Sequence, residues 1–190
     1  MRGIVGEDDI FVDPLPKIAF IGRSNVGKSS LINALIGPGI AHGKGASREL
    51  ARTSPKPGYT RQINVSLIND SFHLVDLPGY GFATGSKASR EQMGDLIHSY
   101  LFNPNYEQEK VVMIIDANIG LTDKDMSMFH ELAHFPKNFI VVANKIDKMN
   151  QSEYHHKLAE IKVIAGAHPV FPVSATKKTG LDTLTTELFG

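Results

Sequence analysis

Residues 22–29 read GRSNVGKS, and the reading of this octet decides the fold. It satisfies the pattern G-x-x-x-x-G-K-[ST] between the apolar run KIAFIG (17–22) and the helix-forming run KSSLINALI (28–36). Glycines let such a loop curl until several backbone N–H groups face one anion, and the N-terminus of the following helix adds its dipole. In that setting Lys28 is the candidate contact for β- and γ-phosphates, and Ser29 the candidate ligand for Mg2+. A strand delivered into a helix through a phosphate-cradling loop is the opening unit of a layered α/β protein.

Outward from this unit the same rhythm continues. Apolar runs rich in Val, Ile and Phe recur at 63–68 (INVSLI), 72–77 (FHLVDL), 111–117 (VVMIIDA), 139–144 (FIVVAN) and 170–175 (VFPVSA). Several lack polar alternation, as strands buried on both faces do. Helices are predicted at 28–36, 89–102, 123–134, 152–165 and 180–188. Only NDS separates INVSLI from FHLVDL, too little for a parallel crossover, so these two strands form an antiparallel hairpin. The expected architecture is α/β with three layers. It has a six-stranded, mixed, mostly parallel sheet with one antiparallel edge strand, and about five helices. Residues 1–15 read as a lead segment and 16–190 as a single domain. The stretch 37–62 is the least regular, and a loop of that length in a compact domain is usually functional.

Composition excludes more than it identifies. The 190 residues are 42% apolar and 21% charged, an ordinary globular balance. Lys+Arg and Asp+Glu are 20 each, so net charge does not argue for a nucleic-acid partner. There is no cysteine, which removes disulfides, thiol catalysis and thiolate-bound zinc. No apolar run approaches the ~18 residues that span a bilayer. The N-terminus lacks a signal-peptide core. Cytosolic residence and no membrane partner are the expectation.

Three further motifs lie at predicted strand ends. Asp76, in DLPGYG (76–81), is placed to hold Mg2+ through water, and Gly79 to offer its N–H to a γ-phosphate. NKID (144–147) follows FIVVA. The Asp147 carboxylate can accept two hydrogen bonds from the N1–H and N2–H2 edge of guanine, a donor pair that adenine lacks. Asn144 would brace the site, and the Lys145 stem would cover the base. SAT (174–176) follows the next strand, with the Ala175 N–H a candidate donor to guanine O6. Thr60 is the candidate for a hydroxyl that reaches Mg2+ when the γ-phosphate is present; Thr53 is its rival.

Taken together, GRSNVGKSSLINALIG, PGYTRQ, DLPGYGFA, NKIDK and SAT resemble the EngB family, bacterial GTPases within the Era-like branch of P-loop GTPases. The resemblance runs from about residue 16 to the C-terminus. It implies GTP and GDP as ligands, Mg2+ as cofactor, slow hydrolysis and a P-loop GTPase fold. It also implies a role with the large ribosomal subunit, its rRNA and proteins, in subunit assembly, and a link to cell division and septation. A monomer is expected. Carried over residue by residue, the nucleotide-contacting set is Gly22, Arg23, Ser24, Asn25, Val26, Gly27, Lys28, Ser29, Ser30, Gly58, Tyr59, Thr60, Asp76, Leu77, Pro78, Gly79, Asn144, Lys145, Ile146, Asp147, Val173, Ser174 and Ala175. Ser29, Thr60 and Asp76 are its metal ligands, and Lys28, Thr60, Gly79 and Asn25 its catalytic candidates. The chain departs from the family at Asn118, where Asp-x-Arg is usual after the fourth of these strands, and its N-terminal lead is short.

Tyr80 occupies the place where many GTPases carry a water-orienting glutamine, and a phenol has no amide for that task. Asn25 offers one substitute: in related GTPases an asparagine there helps bind K+ across the phosphates. Its other reading is a cap on the loop backbone. Arg23 and Arg61 are candidate charge stabilisers. Lys44, Arg48, Arg52, Lys56 and Arg61 make 44–61 basic, which suits either rRNA or solvent. His130 and His134, four apart, lack a third metal ligand, and Met126, Met128 and Phe129 read as core positions. The chain is read as a slow GTPase switch. Two alternatives stand beside it: a guanine-nucleotide sensor with negligible turnover, and a P-loop kinase or ATPase, which NKID disfavours.

Overall fold

The computed structural model describes residues 2–36, 62–81 and 86–190. Among these, seven strands form one sheet in the order β1-β3-β4-β2-β5-β6-β7. The strands are β1 (Arg2–Ile4), β2 (Lys17–Gly22), β3 (Ile63–Ile68), β4 (Phe72–Asp76), β5 (Lys110–Asp116), β6 (Phe139–Asn144) and β7 (Val170–Pro172). The helices are α1 (Lys28–Leu35), α2 (Lys87–Phe102), α3 (Asp123–His134), α4 (Gln151–Ala165) and α5 (Leu181–Phe189).

Alternation along each central strand sorts the core into two halves, because successive side chains leave a strand on opposite faces. Ile18 and Phe20 of β2, Val112 and Ile114 of β5, and Ile140 and Val142 of β6 pack with Leu31, Leu35 and Leu184 of α1 and α5. Ala19, Ile21, Val111, Met113, Phe139 and Val141 pack with Leu96, Tyr100, Phe129 and Ile161 of α2, α3 and α4. Burial on both faces is why these strands lack polar positions.

β3 pairs antiparallel with β4, as the three-residue connection requires, but it is not an edge. The sequence reading of six strands is corrected here: Arg2–Ile4 forms a seventh, pairing antiparallel with β3 from Arg2↔Val65 to Ile4↔Ile63. A three-residue strand is too short for periodicity to reveal. Its pairing groups come from the backbone alone. Phe11, within the 3-10 turn Asp9–Phe11, is buried and packs on Tyr100 and Tyr106 at centroid separations of 4.8 and 5.1 Å. The third helix is also less deeply set than expected. Phe129 is buried, whereas Met126 and Met128 are half-buried.

The four parallel strands β2, β4, β5 and β6 end at one edge, and each delivers a motif there: the 22–29 loop, Asp76, Asp116 and NKID. Cutting Phe11 back to alanine should leave a cavity between the lead and α2 and cost about 3–5 kcal/mol. Urea unfolding of Phe11→Ala beside the parent chain measures it.

Candidate functional site

The 22–29 loop is shaped by left-handed backbone at Asn25 (φ 66°) and Gly27 (φ 92°). Gly27 is also the N-cap of α1 and supplies no side-chain cap, so the first N–H groups of the helix stay available to an anion. Lys28 is buried, with its ammonium hydrogen-bonded to Asp76 Oδ1. Asp76 itself sits opposite Phe20 in the β2–β4 ladder. That ladder continues past the strands: Leu77 N–H donates to Phe20 O (3.0 Å), Tyr80 N–H to Gly22 O (3.2 Å), and Ser24 N–H to Tyr80 O (3.3 Å). The sequence-predicted phosphate loop and DLPGYG turn are thus laced together.

The other half of the site is organised by Asn144, which is 2% exposed. Its Nδ2 donates to Val26 O (3.0 Å), and its Oδ1 accepts from Ala175 N–H (3.1 Å). The Ala175 N–H, read from the sequence as a donor to guanine O6, is therefore engaged by Asn144. Lys145 adopts φ 68° and reaches back to Asn25 O (2.5 Å) and Asp116 Oδ2 (2.7 Å). Ser174, fully buried, donates its hydroxyl to Asp147 Oδ1 (2.6 Å) and so fixes that carboxylate. Ile146 N–H donates to Val173 O (3.3 Å).

Gly58, Tyr59 and Thr60, together with Thr53, Arg61 and the basic residues of 44–61, lie outside the described residues. His130 and His134 make ring contacts with Phe129 and Phe135, and no group of three or more metal-capable side chains occurs among the described residues. Two participants escaped the sequence reading. Asp116 pairs with Lys145, a role announced only by its strand-end position beside NKID. Asp125 binds the Tyr80 hydroxyl at 2.8 Å, and the TDKD pattern (122–125) marks it as a helix-capping acid and nothing more. Burial, then the charge of Asp125, pushes the Tyr80 phenol well above its ordinary range.

Residues 17–145 match the family described as 50S ribosome-binding GTPase. A probable GTP-binding protein EngB of Alkaliphilus metalliredigens is 41% identical over 174 residues, spanning 90% of this chain and 78% of its own. The chain belongs to the EngB family of GTP-binding proteins. A second EngB relative, from Lactobacillus helveticus, is 41% identical over 159 residues, 83% of this chain and 76% of its own.

Solved structures agree with that placement. A probable GTP-binding protein engB superposes with a TM-score of 0.69 at 25% identity, covering 91% of this chain and 96% of that one. Aquifex aeolicus Era bound to GDP and AlF4− gives a TM-score of 0.71 at 27% identity, over 92% of this chain. This EngB-family chain spans only 56% of the Era chain. Membership in this family carries a P-loop GTPase fold, guanine-nucleotide binding and, as the family's general chemistry, GTP hydrolysis. No helix among the described residues is long and apolar enough to cross a membrane.

A Cβ on Gly27 would stand 2.5 Å from Asn144 Nδ2, on a backbone already in the left-handed region. Gly27→Ala should therefore lose about 1–2 kcal/mol from backbone strain alone, and more from displacement of Asn144. The shift in the urea midpoint reads it out.

Proposed function

We propose that this chain is a slow GTP-hydrolysing switch that engages the assembling large ribosomal subunit in its GTP-bound form. The observation that carries the nucleotide part is the fixed Asp147 carboxylate. Ser174 holds one oxygen, the neighbouring Asn144 is tied to both the 22–29 loop and the 174–176 turn, and all lie at the strand ends. A carboxylate held in place recognises the paired N–H donors of guanine and penalises a base without them. Lys28 and the open N–H groups of α1 bind the phosphates. Lys145, drawn flat across the site by Asn25 O and Asp116, lines the base pocket.

The Ser29 hydroxyl and the Asp76 carboxylate are hard oxygen donors of the kind Mg2+ takes, and they are the residues that would hold it, with Thr60. Bound there, Mg2+ would neutralise charge on the phosphate oxygens. Slow turnover follows from Tyr80, whose hydroxyl is occupied by Asp125 and whose side chain has no amide to orient water. K+ is the proposed aid. Asn25 is exposed on the loop while its carbonyl is held by Lys145, which leaves its side chain to help bind a monovalent cation. The ribosomal partner, the cytosolic setting and any tie to division rest on the family resemblance and on the description of the matching family as 50S ribosome-binding. Sedimentation with ribosomal subunits tests the partner. Equal pelleting in GTP-analogue and GDP would reject a nucleotide-gated switch.

Two outcomes are expected. Asp147→Asn should weaken GTP and GDP binding by at least ~100-fold while ATP stays weak in both proteins, as calorimetric titration would show. Phosphate release should be faster in KCl than in NaCl, and Asn25→Ala should abolish the difference. No phosphate release with or without large subunits would leave a sensing module in place of the enzyme.

A further inference from the structure

Asp125 has no exposed surface and sits in the first turn of α3, with both carboxylate oxygens occupied. Oδ2 accepts the Thr122 N–H at 2.9 Å and the Thr122 hydroxyl at 2.6 Å, and lies 3.5 Å from Arg23 Nε. Oδ1 accepts the Tyr80 hydroxyl at 2.8 Å. Capping α3 requires only the Thr122 contacts. The phenol and the guanidinium are additional, and they come from the two segments that face the phosphates: the DLPGYG turn and the 22–29 loop. The Tyr80 bond is charge-assisted, and such bonds to a buried carboxylate are among the stronger hydrogen bonds a protein makes; Arg23 Nε, at 3.5 Å, is an ion-pair contact and not a hydrogen bond.

The backbone shows what these side-chain bonds hold. Tyr80 and Gly22 are joined through Tyr80 N–H, and Ser24 N–H returns to Tyr80 O. Between them, Gly79 lies so close to the loop that a Cβ there would stand 3.2 Å from both the nitrogen and the hydroxyl of Ser24. On the far side, Lys124 Nζ, also in the first turn of α3, donates to Gly81 O at 2.8 Å. The turn is thus clamped on one side by the phosphate loop and on the other by the start of α3.

We propose that Asp125 is a positioning residue of the hydrolytic site: through the Tyr80 hydroxyl it fixes the register of Gly79 against the 22–29 loop. The inference rests on the nucleotide reading above. Its effect falls on the γ-phosphate step and spares GDP, because GDP is held by the loop, Asn144 and Asp147, whereas the γ-phosphate meets the turn. Tyr80 serves as a tether. Burial, then the neighbouring Asp125 carboxylate, pushes its phenol well above the ordinary range, which suits a hydrogen-bond donor to that carboxylate. Small displacements of a positioned group cost large factors in rate, on the order of 100-fold for 1 Å. With the backbone bonds still present, loss of the tether alone should cost less than that.

The test compares the whole chain with Tyr80→Phe, Asp125→Asn and the double variant. It measures single-turnover phosphate release from GTP, affinity for a fluorescent GDP, and thermal melting. Tyr80→Phe removes one oxygen and keeps the ring, so the fold survives. Its hydrolysis rate should fall about tenfold with GDP affinity within about twofold of the parent. Asp125→Asn should fall at least as far, and the double variant no further than the worse single, because the two groups act through one bond. Three results would overturn the inference: a Tyr80→Phe rate within about twofold of the parent, GDP affinity lost in step with rate, or single effects that multiply in the double. If the parent chain binds GTP but never releases phosphate, the hydrolytic reading falls and takes this inference with it. If the parent hydrolyses GTP and the variants match it, only the inference falls.

Discussion

Two hydrogen bonds from one buried amide tie together the parts of this molecule that chemistry requires to be adjacent. Asn144 donates to Val26 O of the loop after β2 and accepts from Ala175 N–H of the turn after β7. Neither segment has a packed core of its own at that end of the sheet, where the strands stop and the backbone has run out of ladder partners. An unpaired buried N–H or C=O there would cost about 1–3 kcal/mol. A single side chain with one donor and one acceptor satisfies both, and in doing so sets the distance between the 22–29 loop and the 174–176 turn. An aspartate would leave Val26 O without a donor, and a leucine would leave both groups without a partner.

Around that staple the charges are arranged in pairs. Lys28 at the start of α1 meets Asp76, Lys145 meets Asp116 across two strand ends, and Arg23 after β2 approaches Asp125 in the first turn of α3. Ion pairs taken out of water contribute little net stability, since desolvation offsets the attraction. Their presence in a row along one edge of the sheet is therefore better understood through the site's work than through the fold's stability. Cations already held near the strand ends need little reorganisation to meet a polyphosphate. The bulk stabilisation lies elsewhere, in the two apolar layers of residues with almost no exposure on either face of β2, β5 and β6.

Most of the fold was legible because the signals were local. The central strands are runs of Val, Ile and Phe, and their positions agree with the observed elements to within a few residues. The strand expected at 170–175 ends at Pro172, with one further bond to β6 from Val173 N–H to Ala143 O (2.9 Å) before the chain turns at Ser174. The motifs 22–29, 76–79 and 144–147 were readable because glycine, lysine and carboxylate sit at fixed offsets from a strand end, and 174–176 only through its place after the next strand. β1 was not legible: three residues carry no periodicity, and RGI becomes a strand only because β3 presents an unpaired edge to it. The half-burial of Met126 and Met128 was also hidden, because apolar identity does not say how deeply a helix sits.

The sequence by itself determined the layered α/β class, the family and the identities of the side chains carried by the four strand-end motifs. These follow from local propensity and from short motifs whose chemistry does not depend on distant residues. Only the tertiary structure decided which of those groups touch. The reach of Lys145 to Asn25 and Asp116, the engagement of Ala175 N–H by Asn144, and the bond from Tyr80 to Asp125 join residues 29 to 120 positions apart. Such contacts are set by how the strands stack side by side, a geometry that no spacing along the chain encodes.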